Sequence, residues 1–234
     1  SVLGLIRSEK QGRQRAEKLL AILADPVFGA DDPRVVHNSS GAASQITPES
    51  NVPQADPTGL RGSDSLRRLV STRQEAESIL RMVTADQTWK AFDFDASLGG
   101  ATDSRLSHFQ IVHFATHGII DDESPELSGI VLSTVDQEGR PQPGFLRLHD
   151  IYNLKLPAQL IVLSACQSAL GKEVRGEGLV GLVRGFMYAG ASSVLASLWK
   201  VDDFATKELM VRFYQQMLEQ SENPAAALRS AQVS

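Results

Sequence analysis

Four short runs stand out in the pattern of apolar and polar positions: residues 19–24, 110–115 (QIVHFA), 160–165 (LIVLSA) and 193–199. Each is predominantly apolar and too short for a buried helix. Such runs predict strands covered on both faces, as in a parallel sheet. Residues 89–94 alternate apolar and polar side chains and predict a further strand. Helical spacing lies between these runs. Ala76, Ile79, Leu80 and Val83 form an apolar stripe, and Thr72 with Glu75 three residues on predicts a capping box at its start. A short helix is expected over 101–108. Residues 179–191 predict a helix with Leu179, Leu182, Val183, Phe186 and Met187 on one broad face and Gly190 as its C-cap. Asp202 or Asp203 caps a helix to about Glu219, with Leu209, Met210, Phe213 and Met217 along one side. Asn223 and Pro224 open a last helix as N-cap and first-turn proline. Strands alternating with helices predict an α/β fold with a mostly parallel sheet.

Composition alters this picture at one place. Residues 37–64 are dominated by Ser, Pro, Gly, Asn and Asp and offer little to a core, so a long flexible surface insertion is expected there. The remainder of the 234 residues suffices for one large domain. A net charge of −5 and the absence of a basic segment argue against a nucleic-acid partner. No apolar run is long enough to span a bilayer. The first twenty residues lack the order of a signal peptide. With one cysteine, neither an intrachain disulfide nor a cysteine-based zinc site can form, which fits a reducing, cytoplasmic setting.

The chemistry concentrates at two strand ends. QIVHFA runs into Thr116-His117-Gly118, and LIVLSA runs into Cys166-Gln167-Ser168. Ligands of open α/β sheets bind beyond the carboxyl ends of the strands. The 49 positions between His117 and Cys166 leave room for a crossover between parallel neighbours. Thiols need a partner to attack an amide at neutral pH, and an imidazole supplies it. Gly118 allows substrate to approach its N–H, and the N–H of Cys166 offers a second donor, which together would make an oxyanion hole. A lone cysteine is more often a small buried hydrophobe. The single Cys with a His about 50 residues upstream is the sharper signal, for a nucleophile and its acid/base partner.

The segments HFATHG (113–118), LSGIVLS (127–133), LIVLSACQSALG (160–171), GEGLVGLVRGFMYAGASSVLASLWKVDD (176–203) and AALRSAQ (226–232) strongly resemble the CHAT domain, a family related to caspases and separase. TRQEAESIL (72–80) and LADPVFGADDPR (23–34) are similar to stretches that precede the His motif there. The resemblance implies a caspase-like three-layer α/β/α sandwich, a Cys166–His117 dyad and specific cleavage of protein substrates without metal or organic cofactor. It also implies a bacterial setting in which such domains often follow tetratricopeptide repeats, so an upstream repeat region or regulator is an expected partner. Measured against the family, the chain is expected to lack pieces at both ends. In caspases the place of Ser164 is Gln, which helps read an acidic residue, and in metacaspases it is Asp. Ser164 corresponds to neither and leaves specificity open. The acids near the two motifs, Asp121, Asp122 and Glu177, are candidates to line a pocket for a basic substrate side chain. A catalytically silent interaction module is the alternative.

Gly176, Gly178 and Gly181 match a dinucleotide fingerprint, but they begin about ten residues after the strand instead of directly behind it. Close helix packing is the simpler reading, and nucleotide binding the weaker alternative. His113 and His117 would lie about 13 Å apart along a strand, too far to share a metal. His113 is therefore expected to be a satisfied core histidine or one that supports the reactive residues from behind, and His149 a residue of a polar turn.

Overall fold

The computed structural model describes residues 15–36, 66–121, 124–164, 166–167, 177–197 and 202–234, with backbone alone for 166, 167 and 177. The insertion expected over 37–64 lies outside the described residues. Strand β1 (Lys18–Pro26) is buried from Leu20 onward. It is flanked by β2 (Thr88–Asp93) and β3 (Phe109–Ala115), and all three run parallel. The other strands in chain order are β4 (His117–Ile119), β5 (Gly129–Val131), β6 (Phe145–Arg147), β7 (Leu160–Leu163), β8 (Cys166–Gln167) and β9 (Val194–Ala196). The central sheet has the order β2-β1-β3-β7-β9 and is parallel throughout. A smaller sheet, β6-β5-β4-β8, continues beyond its carboxyl edge.

Strand alternation divides the core in two. Leu20, Ile22, Ile111, Leu160 and Val162 point to one face. There they meet α1 (Val70–Leu80), α5 (Asp203–Leu218) and α6 (Pro224–Val233) through Ile79, Met210, Phe213 and Ala227. Leu23, Val112, Phe114, Ile161 and Leu163 point to the other. That side is closed by α3 (Leu148–Tyr152) and α4 (Glu177–Tyr188) through Ile151, Leu182 and Phe186, while the short α2 (Leu98–Ala101) adds Ala101. Each large apolar side chain buried this way contributes about 1.5–3 kcal/mol. The result is the expected α/β/α arrangement, with both sheet faces covered as parallel strands require.

Some local expectations are corrected. Helix α1 begins at Val70 behind Leu69, with no side-chain cap. Thr72 donates its hydroxyl to the Leu69 carbonyl, and Glu75 turns into the core instead of back to the helix start. Over 101–108 the chain forms the end of α2 and a 3-10 turn, Ser104–His108, in place of one helix. Met187 is exposed, so the apolar face of α4 is narrower than its sequence suggests. Asp202 caps α5, accepting from the Ala205 N–H, and Asn223 caps α6 in the same way. Gly190 takes φ +116° behind α4, a conformation that a side chain would strain. A Cβ on Gly178 would come within 2.7 Å of the Asp121 carbonyl, which gives this glycine a packing role.

Candidate active site

Strands β3 and β7 pair with an offset of 49 residues, as in Ile111 with Leu160. Both break at the edge of the central sheet and then pair again as β4 and β8. The offset survives the break: His117 lies beside Cys166 and Gly118 beside Gln167, in parallel. Two residues separate the pair Phe114–Leu163 from the pair His117–Cys166 on either strand, so the register is kept. The backbones of the two reactive positions are thereby direct neighbours, about 4.8 Å apart across the ladder. Thr116, within the break, is buried and donates its hydroxyl to the Val131 carbonyl at 2.6 Å, which anchors the start of β4 to β5.

The His117 ring is buried, 8% exposed, and its centroid lies 5.2 Å from that of Phe28. Its Nε2 is 2.7 Å from the Arg67 carbonyl. A carbonyl only accepts, so the ring carries its proton on Nε2 and leaves the Nδ1 lone pair available. Nδ1 is buried with no hydrogen-bond partner among the described residues. Burial holds the imidazole below its ordinary pKa, while the Arg67 carbonyl and the Asp203 carboxylate pull the other way. Neutral His117 is therefore the resting form, as a proton acceptor requires.

The Arg67 carbonyl is itself held in place. Arg68 makes a two-pronged ion pair with Asp25, at 2.8 and 2.6 Å. Asp25 is buried at the end of β1 with φ +53°. Arg34 also reaches Asp25, and bridges onward to Asp32 and Asp93. Paired prongs fix direction as well as distance, so β1 dictates where the 66–69 segment lies. Asp203 accepts the Ser71 N–H at 3.0 Å and ties the start of α5 to that of α1.

The other residues singled out by sequence are placed as follows. Gly118 follows His117 in β4 and pairs with Ile130 on its other side. A small apolar hollow, with a volume of about 20 Å³, lies beside Gly118 and is lined by Ile120, Ile130, Leu163, Leu179 and Leu182. Ser164 is buried, and its hydroxyl is donated to Glu75 Oε2 at 3.0 Å. Asp121 follows β4, and its Oδ1 accepts the Ser124 N–H. Asp122 lies outside the described residues, and Glu177 opens α4 by its backbone alone. His113 is fully buried, with Nδ1 3.0 Å from the Tyr214 hydroxyl and Nε2 3.0 Å from Glu75 Oε1. The latter is an ion-pair distance without the angle of an aligned hydrogen bond. His149 is exposed next to Asp150. Among the described residues no group of three His, Cys, Asp or Glu is arranged to hold a metal. Sequence reasoning missed Arg67, Asp203 and Phe28. It read Glu75 only as a cap, although a carboxylate within the stripe of Thr72, Ala76 and Ile79 was a signal of a buried partner.

The sequence model of the CHAT domain matches residues 3–234. The chain belongs to the CHAT domain family. Two relatives carry the name tetratricopeptide repeat protein 28. The mouse protein is 33% identical and the human protein 31% identical, each over 150 residues. The match covers 49% of this chain and 6% of either relative, so the chain corresponds to a small part of those proteins. Among the described residues no helix is long and apolar enough to cross a membrane.

Proposed function

We propose that this CHAT domain is a cysteine endopeptidase acting on protein substrates. The observation that carries the reading is the register that sets His117 beside Cys166, with the lone pair of His117 Nδ1 left available by the Arg67 carbonyl. In the proposed reaction Nδ1 takes the Cys166 proton and the sulfur attacks the scissile carbonyl carbon. The oxyanion is held by the N–H groups of Gly118 and Cys166. Collapse breaks the C–N bond as His117 returns the proton to the leaving amine. His117 then deprotonates a water that hydrolyses the thioester, which frees the new carboxyl terminus and restores the thiol. The Arg67 carbonyl takes the part of the third group that orients the base in such sites.

Cytoplasmic location and an upstream repeat region or regulator as partner belong to this proposal, the repeat region supported by the names of the relatives. A catalytically silent interaction module is the second reading. A panel of peptidyl acyloxymethyl ketones separates the two. Labelling of Cys166 that is lost in His117→Ala and Cys166→Ala is expected. If no probe labels Cys166 in a His117-dependent manner, the peptidase reading fails. A peptide library then addresses specificity. Preference for Arg or Lys before the cleaved bond would support the Asp121, Asp122 and Glu177 pocket, whereas an apolar preference would assign that role to the hollow beside Gly118.

A further inference from the structure

Glu75 sits in the second turn of α1, 1% exposed, and its carboxylate reaches both strands that lead to the dyad. Oε2 accepts from Ser164, two residues before Cys166. Oε1 lies 3.0 Å from Nε2 of His113, four residues before His117. Tyr214 of α5 closes the chain on the far side of His113 at 3.0 Å.

Burying a carboxylate and an imidazole in an otherwise apolar layer is costly, and hydrophobic residues of similar volume often serve stability as well or better. Stability therefore does not account for the cluster, but its position does. It spans β3 and β7 at the carboxyl edge of the central sheet, where both strands break before pairing again as β4 and β8. Across the break the Ser164 N–H donates to the Phe114 carbonyl at 3.0 Å, and the Glu75 link adds a second tie at the same point. The same helix begins three residues after Arg67, whose carbonyl orients His117. Helix α1 thus addresses the imidazole from its leading segment and both strand ends from its second turn.

We infer that Glu75 is a positioning residue for the His117–Cys166 pair, clasping the ends of β3 and β7 so that the two reactive positions stay in register. The inference rests on the dyad reading but not on peptide hydrolysis. Cys166 is the single cysteine of the chain, so its alkylation by iodoacetamide, followed by intact mass against pH, reports on the pair alone. Wild type should show a profile that changes in His117→Ala. Glu75→Ala should lower the rate at neutral pH about 10- to 100-fold, the scale of a misplaced reacting group, and reproduce the His117→Ala profile while circular dichroism shows a folded protein. Glu75→Gln, which still accepts from Ser164, should restore most of the rate. Where Glu75→Ala does not fold, Ser164→Ala carries the test, since it cuts the tie to β7 alone and should weaken the His117 dependence. A wild-type profile in folded Glu75→Ala or Ser164→Ala overturns the inference, as does wild-type alkylation that ignores His117. The peptidyl probes decide the peptidase reading separately.

Discussion

The two faces of the central sheet are built from the same strands and differ in what they bury. Toward α3 and α4, β3 presents Val112 and Phe114, which pack with Ile161, Leu163, Leu182 and Phe186 in an apolar layer. Toward α1 and α5, the same strand presents His113 between Ile111 and Ala115, and the layer holds Glu75, Ser164 and Tyr214 among its hydrophobes. The apolar face is described by area and fit, with each side chain contributing on its own. The mixed face is described by partners, because a buried polar group is favourable only when every member of its set is present. One face therefore tolerates loss in proportion to volume, and the other fails through whichever group is left without a partner.

Substitutions on each side test this difference. Phe186→Ala on the apolar face should cost about 3–5 kcal/mol, read from denaturant unfolding. It should leave Cys166 alkylation unchanged in the folded fraction. His113→Leu on the mixed face leaves the Glu75 carboxylate without its counterpart and should cost about 3 kcal/mol. Combining it with Glu75→Met should regain most of that stability without restoring the alkylation profile. If stability and reactivity recover together, the two faces do not differ in kind. Tyr214→Phe deletes one hydrogen bond and should cost about 1 kcal/mol. Burial and the Glu75 charge hold that phenol well above its ordinary pKa, so no separate titration should appear below pH 10.

The smallest expected effect is on pH dependence. The folded pKa of His117 is lowered, so the unfolded chain binds more protons as pH falls past about 6.5. The contribution of His117 to stability is thus fully present above that value and is lost as pH falls through the lower folded pKa. Unfolding midpoints should fall more steeply with acid in wild type than in His117→Gln. Equal slopes would mean that burial does not control this imidazole.

Much of the fold was legible because strands buried on both faces are apolar in most positions. The runs at 19–24, 110–115 and 160–165 met that demand and became β1, β3 and β7. The break at the sheet edge was not legible, since Thr116 and Ser164 look like ordinary strand-end residues until their hydroxyls are seen to donate to Val131 and Glu75. The capping-box reading of Thr72 and Glu75 failed for a related reason. Residues three apart on a helix start also share a face deeper in the helix, and only the partners of Glu75 separate the two cases. Met187 was assigned to the buried face because apolar character was taken for burial, and the helix orientation decided otherwise.

By itself the sequence determined the α/β class and the family, and it singled out one cysteine with a histidine 49 residues upstream. These properties follow from local periodicity and from residue types whose chemistry is intrinsic. The tertiary structure decided that the offset of 49 is the register of the strand pair, that a backbone carbonyl at Arg67 sets the tautomer of His117, and that Glu75 faces the core. Each depends on where segments distant in sequence come to rest. A carbonyl is present at every residue and a carboxylate at many, so only packing selects the one that meets a partner.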